Sequence, residues 1–158
     1  MSTTISTPTH ATHTIPSDPQ ALAHAVGQAM FAVDTASKDT MGMTLVSCTP
    51  GCAVMRMPVQ QLHLNGHQIC HGGFIFTLAD STFAFACNSY NLNTVASGCS
   101  IEFLRPVQAG DVLTATAQEQ VRSGRHGIYD IEVRNQRDEV VAMFRGKSAQ
   151  IQGTVLPE

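Results

Sequence analysis

The chain has 158 residues, of which 43% are hydrophobic and 13% charged, and its formal net charge is -3. This composition predicts one folded domain with a hydrophobic core. The chain has only nine Lys and Arg, and this small number disfavours nucleic acid as a partner. No apolar run approaches the roughly 20 residues that span a bilayer, so no membrane segment is predicted. Residues 1–18 are rich in Ser, Thr and Pro, which predicts a disordered tail before a single domain over 19–158.

The cysteines and the N-terminus predict the compartment. Five cysteines are present, an odd number without any C-x-x-C pair, which favours a reducing environment. The N-terminus has neither the cationic nor the apolar region of a secretory signal. We therefore expect a cytoplasmic protein, with Cys87 and Cys99 as small core residues because their surroundings are apolar.

Hydrophobic periodicity and turn residues predict the elements in chain order. The first half reads as a helix over 19–36, strands over 44–49 and 52–58, an irregular segment over 59–71 and a helix from Gly72 to about Tyr90. The second half reads as strands over 94–104, 111–122, 126–135 and 139–151. Short connections between these last four strands predict an antiparallel meander, and a buried helix against such a sheet gives an α+β fold.

The second predicted helix carries one acid on an otherwise small and apolar surface. At 100° per residue, one stripe holds only small or polar residues, namely Gly73, Thr77, Asp80, Ser81, Ala84 and Asn88. Apolar side chains cover the rest of the circumference, which predicts a buried helix. The stripe lets a backbone or a substrate approach closely, and an acid in this setting costs free energy unless it is paired or used.

Two features of this helix suggest a hydrolytic site. Gly72 and Gly73 stand at its start, where backbone N–H groups lack partners and can bind an oxyanion. Asp80 can act as a general base on water or attack a carbonyl directly; the alternative is that it only bonds a neighbouring helix cap. Burial raises the pKa of such an acid and a positive helix end lowers it, and the sequence leaves the balance open.

The spacing of these residues predicts an assembly. Gly72 and Asp80 are eight residues apart, or about 12 Å along a helix. Both groups need to approach one carbonyl group to about 3 Å. An Asp side chain is too short to close that gap, so we expect two chains to share each site, with their helices antiparallel in at least a homodimer.

Other reactive groupings are weaker. A helix would align three histidines as metal ligands, but Asn65-Gly66 breaks any helix through His63, His67 and His71. We predict no metal site and treat His63 as a surface loop residue. Cys70 and His71 are adjacent and therefore rarely face each other as a nucleophilic dyad, and the absence of G-x-S-x-G disfavours a serine hydrolase.

The run NGHQICHGGFIFTLADSTFAFACNS resembles the PaaI-type acyl-CoA thioesterases of phenylacetate degradation. The later segments VASGCSIEFLRPVQAGDVLTATA, GIYDIEVRNQ and FRGKS are similar to that family too, so the resemblance covers about residues 22–153. It implies a hotdog fold, in which a curved antiparallel sheet wraps a long central helix. It also implies hydrolysis of phenylacetyl-CoA and its ring-hydroxylated forms at a dimer interface, in a homodimer or homotetramer. No cofactor is expected, since CoA is part of the substrate.

The resemblance also assigns residues. Asp80 matches the catalytic acid, Gly72 the oxyanion-hole glycine, and Asn65 and His71 the polar residues that position the thioester and the water. For substrate binding we select Gly73 and Phe74 at the helix start and, for the CoA phosphates, the cations Arg105, Arg125 and Lys147. Two alternatives stay open: a hotdog dehydratase and a non-catalytic acyl-CoA-binding protein. Release of a free thiol from acyl-CoA would distinguish a thioesterase from both alternatives.

Overall fold

The structure is a computed structural model that describes residues 15–157. Most of the predicted N-terminal tail therefore lies outside the described residues. The first helix, α1, spans Pro19–Val33, and the Asp18 Oδ2 caps it by accepting the Ala21 N–H at 2.8 Å. No helix within residues 15–157 is both long and apolar enough to cross a membrane.

Helix α1 ends earlier than the sequence predicted. A short π-helical segment over Ala36–Thr40, which we call the π-turn, follows it. The Asp34 Oδ1 accepts the Ser37 N–H at 3.0 Å, and such a local side-chain bond competes with continuation of a regular helix. The predicted end at residue 36 is thus wrong by three residues, and the π-turn was not predicted.

The second helix, α2, spans Gly72–Asn88 and confirms the prediction. Helix α2 packs against the inner face of a six-stranded antiparallel sheet, and all six strands contact it. The strands are β1 (Thr44–Thr49), β2 (Cys52–Pro58), β3 (Thr94–Phe103), β4 (Val112–Ser123), β5 (His126–Arg134) and β6 (Val140–Gln150). The arrangement is the wrapped helix that the resemblance implied.

The strand order is β1-β2-β4-β5-β6-β3, which corrects the predicted meander. Strands β4, β5 and β6 do follow one another, but β3 pairs with β6 at the edge of the sheet. The connection over 104–111 leads from β3 at the edge of the sheet to β4, and hydrogen bonds anchor it at both ends. Its Leu104 N–H donates to the Val141 carbonyl at 2.9 Å, and its Gly110 N–H donates to the Val59 carbonyl at 2.8 Å.

The core lies between α2 and the sheet. In β5, which lies within the predicted strand over 126–135, the buried Tyr129, Ile131 and Val133 alternate with partly exposed charged residues. On α2 most of the small stripe is accessible, since Gly73 is exposed and Asp80 half-buried, but Asn88 at its end is buried. The helix therefore buries its apolar surface against the sheet and leaves the stripe within reach of another molecule.

Strand β3 does not share this burial pattern. Most of its residues are exposed on both faces, and Val95 and Phe103 keep 46% and 51% of their surface accessible. Cys99 is exposed as well, so its predicted place in the core is wrong, whereas Cys87 is buried as expected. The physical reason is the edge position of β3, which within the described residues has β6 on one side and no strand on the other.

Candidate active site

The start of α2 forms one wall of a cleft of about 380 Å³, the Gly72 cleft. Asn65, Phe103 and Arg105 also line it. A Cβ atom on Gly72 would lie 2.9 Å from the Phe103 Cζ, so any other residue would require the Phe103 ring to move. Within residues 15–157 the Gly72 N–H has no acceptor. It is a free main-chain donor at a helix N-terminus, which is what an oxyanion site needs.

His71 makes Gly72, and not Gly73, the available donor. The His71 Nδ1 accepts the Gly73 N–H at 3.0 Å and caps α2. With Nδ1 acting as an acceptor, the proton of the neutral imidazole lies on Nε2. Gly73 and Phe74 line a separate shallow depression of about 390 Å³ next to Met41. His71 therefore orders the helix start, but its side chain lines this separate depression and not the Gly72 cleft.

Asn65 organises the loop before the helix. Its Oδ1 accepts the N–H groups of His67 at 2.9 Å and Ile69 at 3.4 Å, and its carbonyl accepts the Gln68 N–H at 3.0 Å. This confirms the predicted Asn65-Gly66 turn. Because Oδ1 is occupied, the side-chain amide offers its NH₂ donor to the cleft that the residue lines.

Asp80 lies in a different cleft, of about 520 Å³, which we call the Asp80 cleft. Its lining is mostly apolar and includes Phe83, Ala84 and Val95. Burial raises the pKa of Asp80, and no hydrogen bond or ion pair from residues 15–157 offsets that effect. Within the described residues the acid therefore does not bond a helix cap. An unpaired carboxylate with a raised pKa is suited to general-base catalysis.

The two clefts share no lining residue, although Gly72 and Asp80 belong to the same helix. Their separation of eight positions corresponds to about 12 Å along α2. Within one chain, then, the structure does not bring the oxyanion donor and the carboxylate together.

The three predicted phosphate-binding cations lie in different places. The Arg105 guanidinium lines the Gly72 cleft and donates to the Val140 carbonyl at 2.6 Å. The Arg125 guanidinium donates to the Gln150 carbonyl at 2.8 and 3.0 Å and lines neither cleft. Lys147 is exposed on the outer face of β6. Only Arg105 is thus brought to one of the two clefts.

Two phenylalanines line the two clefts, and others lie in the core. Phe83 lines the Asp80 cleft and Phe103 lines the Gly72 cleft. Phe85 is buried against Phe31, with ring centroids 6.2 Å apart, and Phe76 packs edge-on against Phe144 in the core. Most of the phenylalanines therefore stabilise the fold.

The side chains of His63 and Cys70 are buried and pack within the fold. His63 is fully buried, so its predicted surface location is wrong; it stacks on Phe74 at a centroid distance of 4.7 Å, and burial lowers its pKa. Burial raises the pKa of Cys70 to about 11, and its Sγ lies 3.7 Å from the carbonyl oxygen of His71 and not at the imidazole. No three potential metal ligands converge in the described part of the chain.

Two features of the site were missed from the sequence. Ser37 of the π-turn is buried, and its Oγ lies 3.0 Å from the Oγ of Ser81, next to Asp80. Residues 151–156, which we call the C-terminal segment, form one side of the Asp80 cleft. Asn91 and Asn93, directly after α2, were the available signal, since asparagine favours left-handed and capping positions after helices.

Known proteins resemble the chain in sequence and structure. A family model described as thioesterase superfamily matches residues 67–142. The acyl-coenzyme A thioesterase PaaI of Escherichia coli K12 is 52% identical over 130 residues, which cover 82% of this chain and 92% of that protein. The solved structure of E. coli PaaI superposes with a TM-score of 0.84 at 49% identity and covers 87% of this chain and 99% of its own.

A structure from Streptococcus mutans UA159, solved with acetyl-CoA bound, matches with a TM-score of 0.68 at 26% identity over 71% of this chain and 90% of its own. High identity to PaaI along most of both chains, together with the wrapped-helix architecture, establishes the relationship. The chain belongs to the PaaI-type acyl-CoA thioesterases, a family of thioester hydrolases with the hotdog fold.

Proposed function

We propose that this chain hydrolyses phenylacetyl-CoA and ring-hydroxylated phenylacetyl-CoA to the free acid and CoA, in the cytoplasm, as a step of phenylacetate breakdown. The observation that carries the proposal is the unpaired Asp80 carboxylate in an apolar cleft, on the same helix as the free Gly72 N–H. The E. coli relative is the PaaI protein of the phenylacetic acid degradation operon. The acetyl-CoA in the S. mutans structure supports a CoA ester as substrate.

The chemistry follows from the two groups. Gly72 N–H donates to the thioester oxygen as negative charge develops on it. Asp80 takes a proton from water, the water oxygen bonds to the carbonyl carbon, and the C–S bond then breaks to release CoA, whose sulfur recovers the proton. In the alternative route Asp80 itself attacks and gives an anhydride, which water resolves. Neither route requires a cofactor.

The neighbouring polar residues have positioning roles in this proposal. The His71 Nε2–H and the Asn65 NH₂ are the donors left over after each side chain has ordered its own backbone. They are suited to hold the thioester and the attacking water. Arg105 lines the same cleft as Gly72 and is the best placed cation for a CoA phosphate. Gly73 and Phe74, with Arg125 and Lys147, stay predictions as substrate contacts.

The site is completed by a second copy of the chain. Strand β3 has an unpaired edge and exposed apolar residues, which is the kind of edge that pairs with another chain. Pairing two copies there would bring the accessible face of each α2 toward the other. One chain then supplies Gly72 and its partner Asp80. Association of such dimers into a homotetramer stays a prediction.

Thiol release from a panel of acyl-CoA esters tests the proposal. Phenylacetyl-CoA is expected to exceed acetyl-, hexanoyl- and palmitoyl-CoA in kcat/KM by about tenfold or more, or ~1.4 kcal/mol of transition-state stabilisation. Asp80→Asn should lower turnover by roughly a hundredfold or more. Asp130→Asn is the matched control, because Asp130 pairs with Arg145 on the outer face of the sheet.

Three results would contradict parts of the proposal. A folded Asp80→Asn protein with wild-type turnover would remove Asp80 from the chemistry. A preference for palmitoyl-CoA would overturn the aryl substrate but leave the thioesterase. Tight binding of every ester without thiol release would instead identify an acyl-CoA-binding protein.

A further inference from the structure

The C-terminal segment, residues 151–156, has no regular secondary structure, yet it forms a wall of the Asp80 cleft. Ile151, Thr154 and Val155 line the cleft opposite Phe83 and Ala84 of α2. A segment without helix or strand keeps a defined position only when specific contacts hold it. These contacts come from the two asparagines that follow α2.

Asn91 holds the far end of the segment. Its Oδ1 accepts the Leu156 N–H at 2.7 Å, and its Nδ2 donates to the Leu156 carbonyl at 3.4 Å. The residue has a φ of 60° and is nearly buried. Asparagine is among the few residues other than glycine that adopt this left-handed conformation readily. Asn91 therefore both ends the helical region and anchors the segment.

Asn93 holds the near end. Its N–H donates to the Gly153 carbonyl at 3.1 Å, its carbonyl accepts the Ile151 N–H at 2.8 Å, and its Nδ2 donates to the Gln152 carbonyl at 3.2 Å. Gly153 has a φ of 92°, and a Cβ on it would lie 2.8 Å from the Asn93 Nδ2. The close approach and the positive φ both require glycine. The segment is thus bound at both ends.

We propose that this segment, held by Asn91 and Asn93, is the specificity-determining wall of the acyl pocket. The inference rests on the proposed role of Asp80. When the thioester carbonyl reaches Asp80, the cleft around that acid receives one arm of the substrate. Its lining of Phe83, Val95 and Val155 suits an apolar acyl group better than the polar, charged arm of CoA. A fixed wall then limits the size and shape of that group.

Asn91→Gly is the sharpest perturbation of the wall. Glycine adopts the positive φ without cost, so the variant removes the two hydrogen bonds to Leu156 and leaves the backbone path unchanged. The kcat/KM for phenylacetyl-CoA relative to hexanoyl-CoA is expected to fall by roughly fivefold, because a loosened wall admits the longer flexible chain. Hydrolysis of acetyl-CoA, which barely fills the cleft, should stay within about twofold of wild type.

A second variant works in the opposite direction. Val155→Phe adds volume inside the cleft and should lower kcat/KM for phenylacetyl- and hexanoyl-CoA by roughly fivefold or more while sparing acetyl-CoA. Gln152→Ala is the control, since it changes an exposed side chain of the same segment that does not line the cleft. It should leave every ratio unchanged.

The outcomes separate this inference from the proposed function. If the wild-type protein releases thiol but both variants keep its substrate ratios, the segment is not a specificity wall. Equal losses on all esters, acetyl-CoA included, would also overturn the inference, because they indicate a structural role. If the wild-type protein releases no thiol from any ester, the proposed function itself fails.

Discussion

A shared site can be tested by combining two inactive chains. Asp80→Asn removes the carboxylate, and Gly72→Val blocks the donor glycine, whose Cβ would already lie 2.9 Å from the Phe103 ring. The two groups are separated by about 12 Å along α2, whereas each must come within about 3 Å of one carbonyl group. Each variant alone is therefore expected to be inactive.

A mixture of the two should regain activity in a defined proportion. Random reassembly of equal amounts makes half of the dimers mixed, and a mixed dimer has one intact site out of two. The expected recovery is therefore roughly a quarter of wild-type turnover per chain. The chains are mixed in mild denaturant and refolded, the mixed dimers are counted by native mass spectrometry, and turnover is measured by thiol release.

The control mixture combines Asp80→Asn with a chain that carries both substitutions. This mixture forms mixed dimers too, but both of its chains lack Asp80. No site in it therefore combines Gly72 with Asp80, and no activity should return. Mixed dimers of the two single variants that are abundant and yet inactive would refute the shared site. Recovery would in turn exclude a site built within one chain.

The remaining predictions concern the half-buried Asp80 and the buried Asp111. Because burial raises the pKa of Asp80, its ionisation costs stability as pH rises from about 3.9 through the raised native value. Asp80→Asn should therefore melt at a higher temperature than wild type at pH 7, with the gap closing in acid; equal melting temperatures at pH 7 would contradict this. Burial also opposes ionisation of Asp111, but the Gln108 N–H, the Gln136 amide and the Arg137 charge outweigh it and lower its pKa. The stability it contributes is present above about 3.9 and is lost as pH falls below that value. Asp111→Asn should cost about 1–3 kcal/mol at pH 7 and reduce the acid sensitivity of urea unfolding; an unchanged midpoint would refute that role.

Local patterns in the sequence predicted most of the elements. Helix α2 begins at Gly72 as predicted, because the His-Gly-Gly run supplies both a cap and flexible first residues. Strands β1 and β2 have the predicted limits, since the Pro50-Gly51 turn separates them. The alternation in β5 is equally local. Each of these features depends on residues only a few positions apart.

The sequence predictions were wrong or incomplete where contacts between residues far apart in the chain determine the structure. The pairing of β3 with β6 joins residues about fifty positions apart, such as Ser97 and Lys147, and nothing in the short links excludes it. Ser37 of the π-turn meets Ser81 across 44 positions, and the C-terminal segment is held where Asn91 meets Leu156 across 65 positions. The placement of Asp80 and Gly72 on one helix was predictable because one motif contains both, whereas residues 151–156, which line the Asp80 cleft, are far from that motif in the sequence.

Two unfavourable features of the single chain have a common remedy in the proposed dimer. In the part of the chain that the structure describes, strand β3 exposes an unpaired edge and apolar side chains such as Val95 and Phe103, and Asp80 is half-buried without a partner. Val95 lines the Asp80 cleft and Phe103 lines the Gly72 cleft, so the exposed strand runs between the two half-sites. A second copy that covers β3 therefore also brings a donor glycine toward the lone carboxylate. The interface that stabilises the fold and the interface that assembles the catalytic site are, on this proposal, the same surface.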